Sequence, residues 1–194
     1  MAGTPEQQAT YFPQLAEGAL KIACAFSEPG ARYDLADVDT RARREGDEFV
    51  LNGTKCVVFG GDDADMLVVS AREPENDRHG EKGVSLFLVD TKLDGVALTE
   101  YRLIDGRGAA DLTLTDVRLP ASALLGPSGE GFDTMEAVYD LAAAAICAEA
   151  LGALEKVIDL TKEYLETRRQ FGKAIGEFQA LQHFFADFMV DYEH

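Results

Sequence analysis

All six prolines lie before Phe132, and none occurs from there to His194. A proline inside a helix removes a hydrogen bond and clashes with the preceding turn, so the stretch after Phe132 is where long helices can run. Before it the pattern is different. Residues 5–18 read as a short helix, with Pro5 at a first-turn position and Gly18 as its stop. Short apolar runs then follow to about residue 118: KIACAF (21–26), EFVLNGTKCVVF (48–59), MLVVSA (66–71), GVSLFLV (83–89), VALTEY (96–101) and ADLTLTDV (110–117). Glycine-containing or charged loops separate them, which is the spacing of a sandwich or barrel. Pro29-Gly30 suits the centre of a type II turn, and Asn52-Gly53 between two apolar runs is a hairpin signal.

After Phe132, Asp133 and Glu136 form a D-x-x-E capping signature. Met135, Val138, Leu141, Ala145, Ala148, Gly152, Leu154 and Ile158 then follow at broadly helical spacing. The run AAAAICAEALGA (142–153) is small enough to let a neighbouring backbone approach closely. A second helix is expected to begin near Phe178 or Gln179. The fold class is therefore α+β: an antiparallel β-sandwich or barrel followed by part of an α-helical bundle. The expected divisions are 1–18 (helical), 19–120 (β) and 121–194 (helical). Two helices make an incomplete bundle, so their apolar faces require further partners.

Composition excludes several functions. Lys and Arg number 18 against 35 Asp and Glu, a formal net charge of −17, which opposes general binding to nucleic acid or anionic membrane. No apolar stretch reaches membrane-spanning length, so no membrane insertion is expected. Cys24, Cys56 and Cys147 are scattered without CxxC spacing, and no early apolar run resembles a signal peptide, which favours the cytoplasm. His79, His183 and His194 form no HExxH pattern and no metal site is expected. GRGAAD (106–111) precedes a strand instead of a helix, and GPSGEG (126–131) lacks a P-loop lysine and reads as a connector. RARREGDEF (41–49) reads as a charged hairpin edge, and Lys55 and Lys82 as solvent-facing.

One segment combines features that none of these patterns explains: TRRQFGKAIGEFQALQH (167–183). In an acidic chain it sets Arg168 and Arg169 at the end of a helical pattern and follows them with Phe171-Gly172. Helix termination is one reading, since cations suit a helix C-terminus and glycine supplies a left-handed stop. It leaves Glu177-Phe178-Gln179 without a particular explanation.

Taken in order, AFSEPGARYDL (25–35), FVLNGTKCVVFGGDDADMLVVSAR (49–72), GVSLFLVD with DGRGAADLTLTDVRLP (83–120) and TRRQFGKAIGEFQALQH resemble the acyl-CoA dehydrogenase family of flavin enzymes. The resemblance covers nearly the whole chain, and ARYDL and VVFGGDDAD are most similar to the small, partner-dependent subunits of the pimeloyl-CoA dehydrogenase type. The family chain is about twice this length. The resemblance therefore implies the middle and early C-terminal parts of such an enzyme, truncated at both ends.

The implied cofactor is FAD and the implied substrate an acyl-CoA of fatty acid metabolism, oxidised between Cα and Cβ. The implied partners are acyl-CoA dehydrogenase-type chains, in a homo- or hetero-oligomer, and an electron-transfer flavoprotein. On this pattern Arg168 meets the FAD pyrophosphate across a subunit interface, Phe171 packs on the cofactor, and Gln179 hydrogen-bonds it. Ser27 stands at the hydroxyl position that contacts the flavin ring, with the backbone of residues 25–27, Phe26 included, close by. Val57 and Phe59 occupy positions where the family often has tryptophan and threonine, so Phe59 has no hydroxyl to offer. Tyr33, preceded by Arg32, replaces a small residue near the thioester and pantetheine. Asp140 matches a position on the CoA side, and it reads equally as an exposed helix residue. The family's base comes either from a segment beyond His194 or from the helix position held here by Ala142. No catalytic residue is therefore assigned, and a non-catalytic flavin-site subunit or truncated remnant stands as the alternative.

Overall fold

The computed structural model describes residues 2–73 and 80–194. His79 lies outside the described residues. The chain divides into two compact units, Met1–Ala137 and Val138–His194.

In the first unit, α1 (Pro5–Ala16) starts from a complete capping box, in which Thr4 Oγ1 accepts the Gln7 N–H and Gln7 Oε1 accepts the Thr4 N–H. The strands are β1 (Ile22–Ala25), β2 (Arg41–Glu45), β3 (Glu48–Phe59), β4 (Met66–Arg72), β5 (Val84–Asp90), β6 (Val96–Arg102), β7 (Gly108–Pro120) and β8 (Leu124–Leu125). They form an eight-stranded sheet in the order β6-β7-β3-β2-β4-β5-β8, and β1 pairs with β4. The ladders are antiparallel, apart from β1 with β4 and a single parallel contact of Arg41 with Arg72. Phe49 on β3 and Phe87 on β5 meet edge-to-face with ring centroids 5.0 Å apart. Two strands, β2 and β4, lie between them in the sheet, and neighbouring strands are about 4.8 Å apart. The sheet therefore curls back over a core of Leu51, Val58, Leu67, Val69, Val89, Leu112, Leu114 and Val117. A second cluster, Phe26, Val38, Val84, Leu86 and Met135, covers the other face of β5, which is why that strand is apolar at nearly every position.

Three local expectations are corrected. Asn52-Gly53 is no hairpin: β3 runs straight through it as one strand of 12 residues. The turn lies earlier, at Gly46-Asp47 between paired Glu45 and Glu48, with Gly46 at φ 64°. What Asn52 does is brace a bulge on the neighbouring strand. Between Leu51/Val117 and Gly53/Leu114 the extra residue belongs to β7, and Asp116 there (φ 48°) exchanges two hydrogen bonds with Asn52. The bend at Pro29-Gly30 is closed by the Ala31 N–H donating to Glu28 O, but the left-handed residue is Arg32 (φ 54°) instead of the glycine a type II turn requires. Asp133 is not the cap of the long helix: α2 (Phe132–Thr167) begins one residue before it, and Gly131 supplies the first carbonyl, to Met135 N–H.

In the second unit, α2 continues to Thr167 and is followed by a hairpin of β9 (Arg169–Gln170) and β10 (Lys173–Ala174), then α3 (Gln179–Glu193). Gly172 does not stop the helix. Phe171 (φ 52°) and Gly172 (φ 82°) form the two-residue turn of this hairpin, the pair of positive φ values that a type I′ turn demands. Gly176 is required for a different reason. A Cβ there would lie 2.9 Å from the carbonyl oxygen of Leu165, so only glycine lets the chain pass the last turn of α2. Leu141, Ile146, Leu151 and Leu160 of α2 are exposed, in keeping with the expected partial bundle. No helix among the described residues is long and apolar enough to cross a membrane.

Candidate cofactor site

In the first unit the site is built where the end of β1 meets β3. Lys55 falls on the same inward parity of β3 as Phe49 and Leu51, and it is buried, not solvent-facing. An ammonium there requires a partner. Glu28 supplies it: Lys55 Nζ donates to Glu28 Oε1 at 2.6 Å and to Ser70 Oγ at 2.8 Å. Glu28 also accepts the Thr40 N–H on Oε1 (3.0 Å) and the Asp39 N–H on Oε2 (2.7 Å). Glu28 is thus more than turn structure, since it joins the S-E-P-G bend, the 36–40 segment and β3. Burial raises the Glu28 carboxyl, but the Lys55 charge and hydrogen bonds from Lys55 and Thr40 overcome this, leaving it below its ordinary value. Burial pulls the Lys55 ammonium down to about 8 against the opposing pull of Glu28.

Next to this pair, the Cys56 N–H donates to Ser27 O at 2.9 Å. Between Lys55/Leu112 and Val58/Ala110 the extra residue is on β3, and the Val57 backbone is left-handed at φ 51°. This bulge reverses the parity of the strand end, so Val58 points inward while Val57 and Phe59 are exposed. The Arg107 guanidinium lies 5.8 Å from the Phe59 ring centroid. Ser27 is half-buried beside them. The Phe26 ring is committed to the core, so only its backbone is available to a ligand. Ser27, Val57 and Phe59 are thus brought to one end of the sheet. Tyr33 is fully exposed on the following loop and is not gathered with them.

In the second unit, Arg168 and Gln179 bracket the β9–β10 hairpin. The Ile175 N–H donates to Arg168 O at 2.8 Å, which closes its base. Phe171 at the tip is 93% exposed and meets the Phe178 ring edge-on at 6.2 Å, while Lys173 Nζ lies 4.2 Å over the Phe178 ring. The side chains of Arg168 and Gln179 are exposed and make no hydrogen bond or ion pair with a described residue. Among the described residues no side chain caps the start of α3, which leaves the N–H groups of Gln179 and Ala180 open. Guanidinium, amide, open helix start and exposed ring are groups suited to an anionic dinucleotide. Asp140, Ala142, Glu136 and Glu149 are exposed along α2, and no carboxylate stands at position 142.

The buried Glu28–Lys55 pair was missed in the sequence. Its signal was the strand parity of Lys55. Among the described residues no group of three or more His, Cys, Asp or Glu is arranged to hold a metal.

Residues 23–117 match the family model "Acyl-CoA dehydrogenase, middle domain" and residues 129–194 the model "Acyl-CoA dehydrogenase, C-terminal domain". The chain is 39% identical over 191 residues to the acryloyl-CoA reductase (NADH) of Anaerotignum propionicum, covering 95% of this chain and 48% of that protein. It is 31% identical over 196 residues to the caffeyl-CoA reductase-Etf complex subunit CarC of Acetobacterium woodii, covering 100% of this chain and 51% of that one. A glutaryl-CoA dehydrogenase from Mycobacterium smegmatis, solved in complex with FADH2, superposes with a TM-score of 0.88 at 32% identity, over 98% of this chain and 48% of the other. The chain belongs to the acyl-CoA dehydrogenase family. It spans about half the length of the curated relatives it matches.

Proposed function

We propose that this polypeptide is part of an FAD-dependent acyl-CoA dehydrogenase that introduces a double bond between Cα and Cβ of an acyl-CoA thioester. It would do so in a homo- or hetero-oligomer of acyl-CoA dehydrogenase-type chains. The observation that carries this reading is the pair of uncommitted side chains, Arg168 and Gln179, on either side of a hairpin tipped by an exposed Phe171. A planar guanidinium matches phosphate oxygens bidentately, and an amide with open helix-start N–H groups adds further donors.

When bound, FAD supplies the acceptor for the β-hydride. Arg168 and Gln179 would hold the diphosphate end of an FAD bound mainly by a neighbouring chain, and Phe171 would pack against it. At the flavin site of the first unit itself, Ser27 would offer a hydroxyl toward the ring, and Val57 and Phe59 apolar contact. Glu28 and Lys55 hold the two strand segments that carry Ser27 and Val57. Tyr33 and Asp140 are assigned to the acyl-CoA side. The electron acceptor is assigned as an electron-transfer flavoprotein, a reading that the Etf complex named for the Acetobacterium woodii relative supports. The divisions 1–18, 19–120 and 121–194 are retained as the domain proposal, and the cytoplasm as the compartment, on the scattered free cysteines.

A second reading is favoured by Ala142: a non-catalytic subunit that contributes flavin contacts without turnover. Removing the α-proton requires a poised base, and alanine provides none. Absorbance of the purified chain between roughly 370 and 450 nm, alone and mixed with a family partner, reports bound oxidised flavin. Dye reduction with several acyl-CoAs then separates the readings. Flavin with turnover supports the first and flavin without turnover the second, whereas flavin in no combination defeats both.

A further inference from the structure

We propose that Asp111 is a positioning residue for the exposed end of β3, its carboxylate fixing the Val57 backbone while Tyr101 fixes the carboxylate. The inference rests on the assignment of Val57 to the flavin face.

Asp111 lies on β7, directly after the residue that pairs with Val58. Its Oδ1 accepts the Val57 N–H at 3.0 Å and the Tyr101 O–H at 2.8 Å. Val57 is the extra residue of the bulge and has φ 51°, a conformation that is an outlier for a β-branched side chain. Such strain persists only where the surroundings over-determine it. The constraints on this segment come from three sides. Lys55 Nζ is held by Glu28, the Cys56 N–H by Ser27 O, and the Val57 N–H by Asp111. The first two anchor the segment to the end of β1. Asp111 holds the strained residue from the other side of the strand. Because the peptide is planar and trans, taking up the Val57 N–H also aims the Cys56 carbonyl away from Asp111. The carboxylate therefore sets the orientation of the whole 56–57 peptide. Tyr101, reaching across from β6, restricts Asp111 to one rotamer by using the same oxygen. Neither Asp111 nor Tyr101 needs to touch a ligand itself. They decide how Val57 and Phe59 are presented to one.

The test uses the full chain with FAD and compares Asp111→Ala, Asp111→Asn and Tyr101→Phe. Amide exchange at Val57 is read without cofactor, and FAD affinity and the visible circular dichroism of bound flavin are read with it. A hydrogen bond to a charged acceptor is worth enough that Asp111→Ala should speed Val57 exchange and weaken FAD binding by about tenfold each. It should also alter the flavin dichroism. Asp111→Asn keeps an acceptor oxygen and should restore most of both, and Tyr101→Phe should give a smaller change in the same direction. If Asp111→Ala does not fold, Tyr101→Phe decides. Val57 exchange and flavin dichroism unchanged in the folded variants would overturn the proposal. An unaltered chain that takes up no FAD, alone or with a partner chain, overturns the function assignment and this inference with it, and the same titration detects it.

Discussion

Lys55 Nζ sits 2.6 Å from Glu28 Oε1, with the two side chains 0% and 3% exposed. The pair joins the bend after β1 to β3, beside the candidate flavin contacts Ser27 and Val57. Removing one partner leaves a buried charge without compensation, a cost of about 3–5 kcal/mol. Lys55→Met should lose that much stability in urea unfolding. The double change Glu28→Gln with Lys55→Met should recover part of it, because no unpaired charge then remains. A single variant no less stable than the double would show that the pair is not coupled.

The pair also sets a pH dependence. Both groups shift downward, which disfavours the charged form of Lys55 and favours that of Glu28: burial outweighs pairing at Lys55, whereas Glu28 has two backbone donors in addition and gains overall. Glu28 titrates below 4.5 when folded, so its stabilisation is complete above that value and is lost as pH falls through the folded pKa. Lys55 releases its proton near 8 when folded and near 10.5 when unfolded, so the unfolded chain binds more protons between these values. From this group alone, stability rises across that interval. Unfolding free energies at a series of pH values, taken as unaltered chain minus the Glu28→Gln, Lys55→Met variant, should fall on the acid side and climb on the alkaline side. A flat difference would exclude Lys55 as the titrating group.

The strands and helices were legible because each carries a local signal: unbroken apolar runs in β4 and β5, alternation in β7, and helical spacing with no proline after Phe132. What was not legible depends on partners distant in sequence. Asn52-Gly53 has hairpin chemistry, but the residue that uses Asn52 is Asp116, on a bulge of another strand. Phe171-Gly172 looks like a helix stop until Arg169-Gln170 pairs with Lys173-Ala174. The parallel pairing of β1 with β4 needs a long crossover that leaves no mark in either strand. At the candidate site, Arg168, Phe171 and Gln179 came from a motif. Glu28 and Lys55 were readable only by carrying the parity of Phe49 and Leu51 forward, and the roles of Asp111 and Tyr101 had no local signal at all.

Arg168→Ala should release flavin while leaving the β unit intact. The side chain is exposed and makes no hydrogen bond or ion pair with a described residue, so its removal costs the fold little. Loss of one charge-assisted contact to phosphate predicts roughly tenfold weaker FAD retention. Arg168→Lys should restore only part, because an ammonium cannot match the bidentate geometry. Flavin retained at the original affinity in Arg168→Ala would remove this residue from the site.

Glycine substitutions should separate conformational strain from collision. Gly46 has φ 64° with nothing within 4 Å of an added Cβ, so Gly46→Ala should cost about 1 kcal/mol, from backbone conformation alone. At Gly53 the same methyl would lie 2.6 Å from the Thr40 Cα and 2.5 Å from its Oγ1. That backbone is held by Glu28, so it cannot yield without disturbing the buried pair. Gly53→Ala should therefore cost about 3 kcal/mol or more, read as a shift in thermal unfolding. Equal losses at the two positions would mean that the approach of Thr40 is not a tight one.

Phe171 offers the clearest opposition between stability and binding. A phenylalanine at φ 52° costs about 1–2 kcal/mol over a residue that tolerates the left-handed region, and this ring is 93% exposed, so it recovers almost nothing by burial. Asparagine followed by glycine is the preferred sequence for such a two-residue turn. Phe171→Asn should thus stabilise the β9–β10 hairpin by about 1 kcal/mol, visible as slower amide exchange at Gln170 and Lys173. The same change deletes the ring that the flavin assignment places against the cofactor, so FAD retention should weaken in the more stable variant. A variant that gains hairpin protection and keeps its flavin affinity would make the exposed ring dispensable, and the strain at Phe171 would then need another explanation.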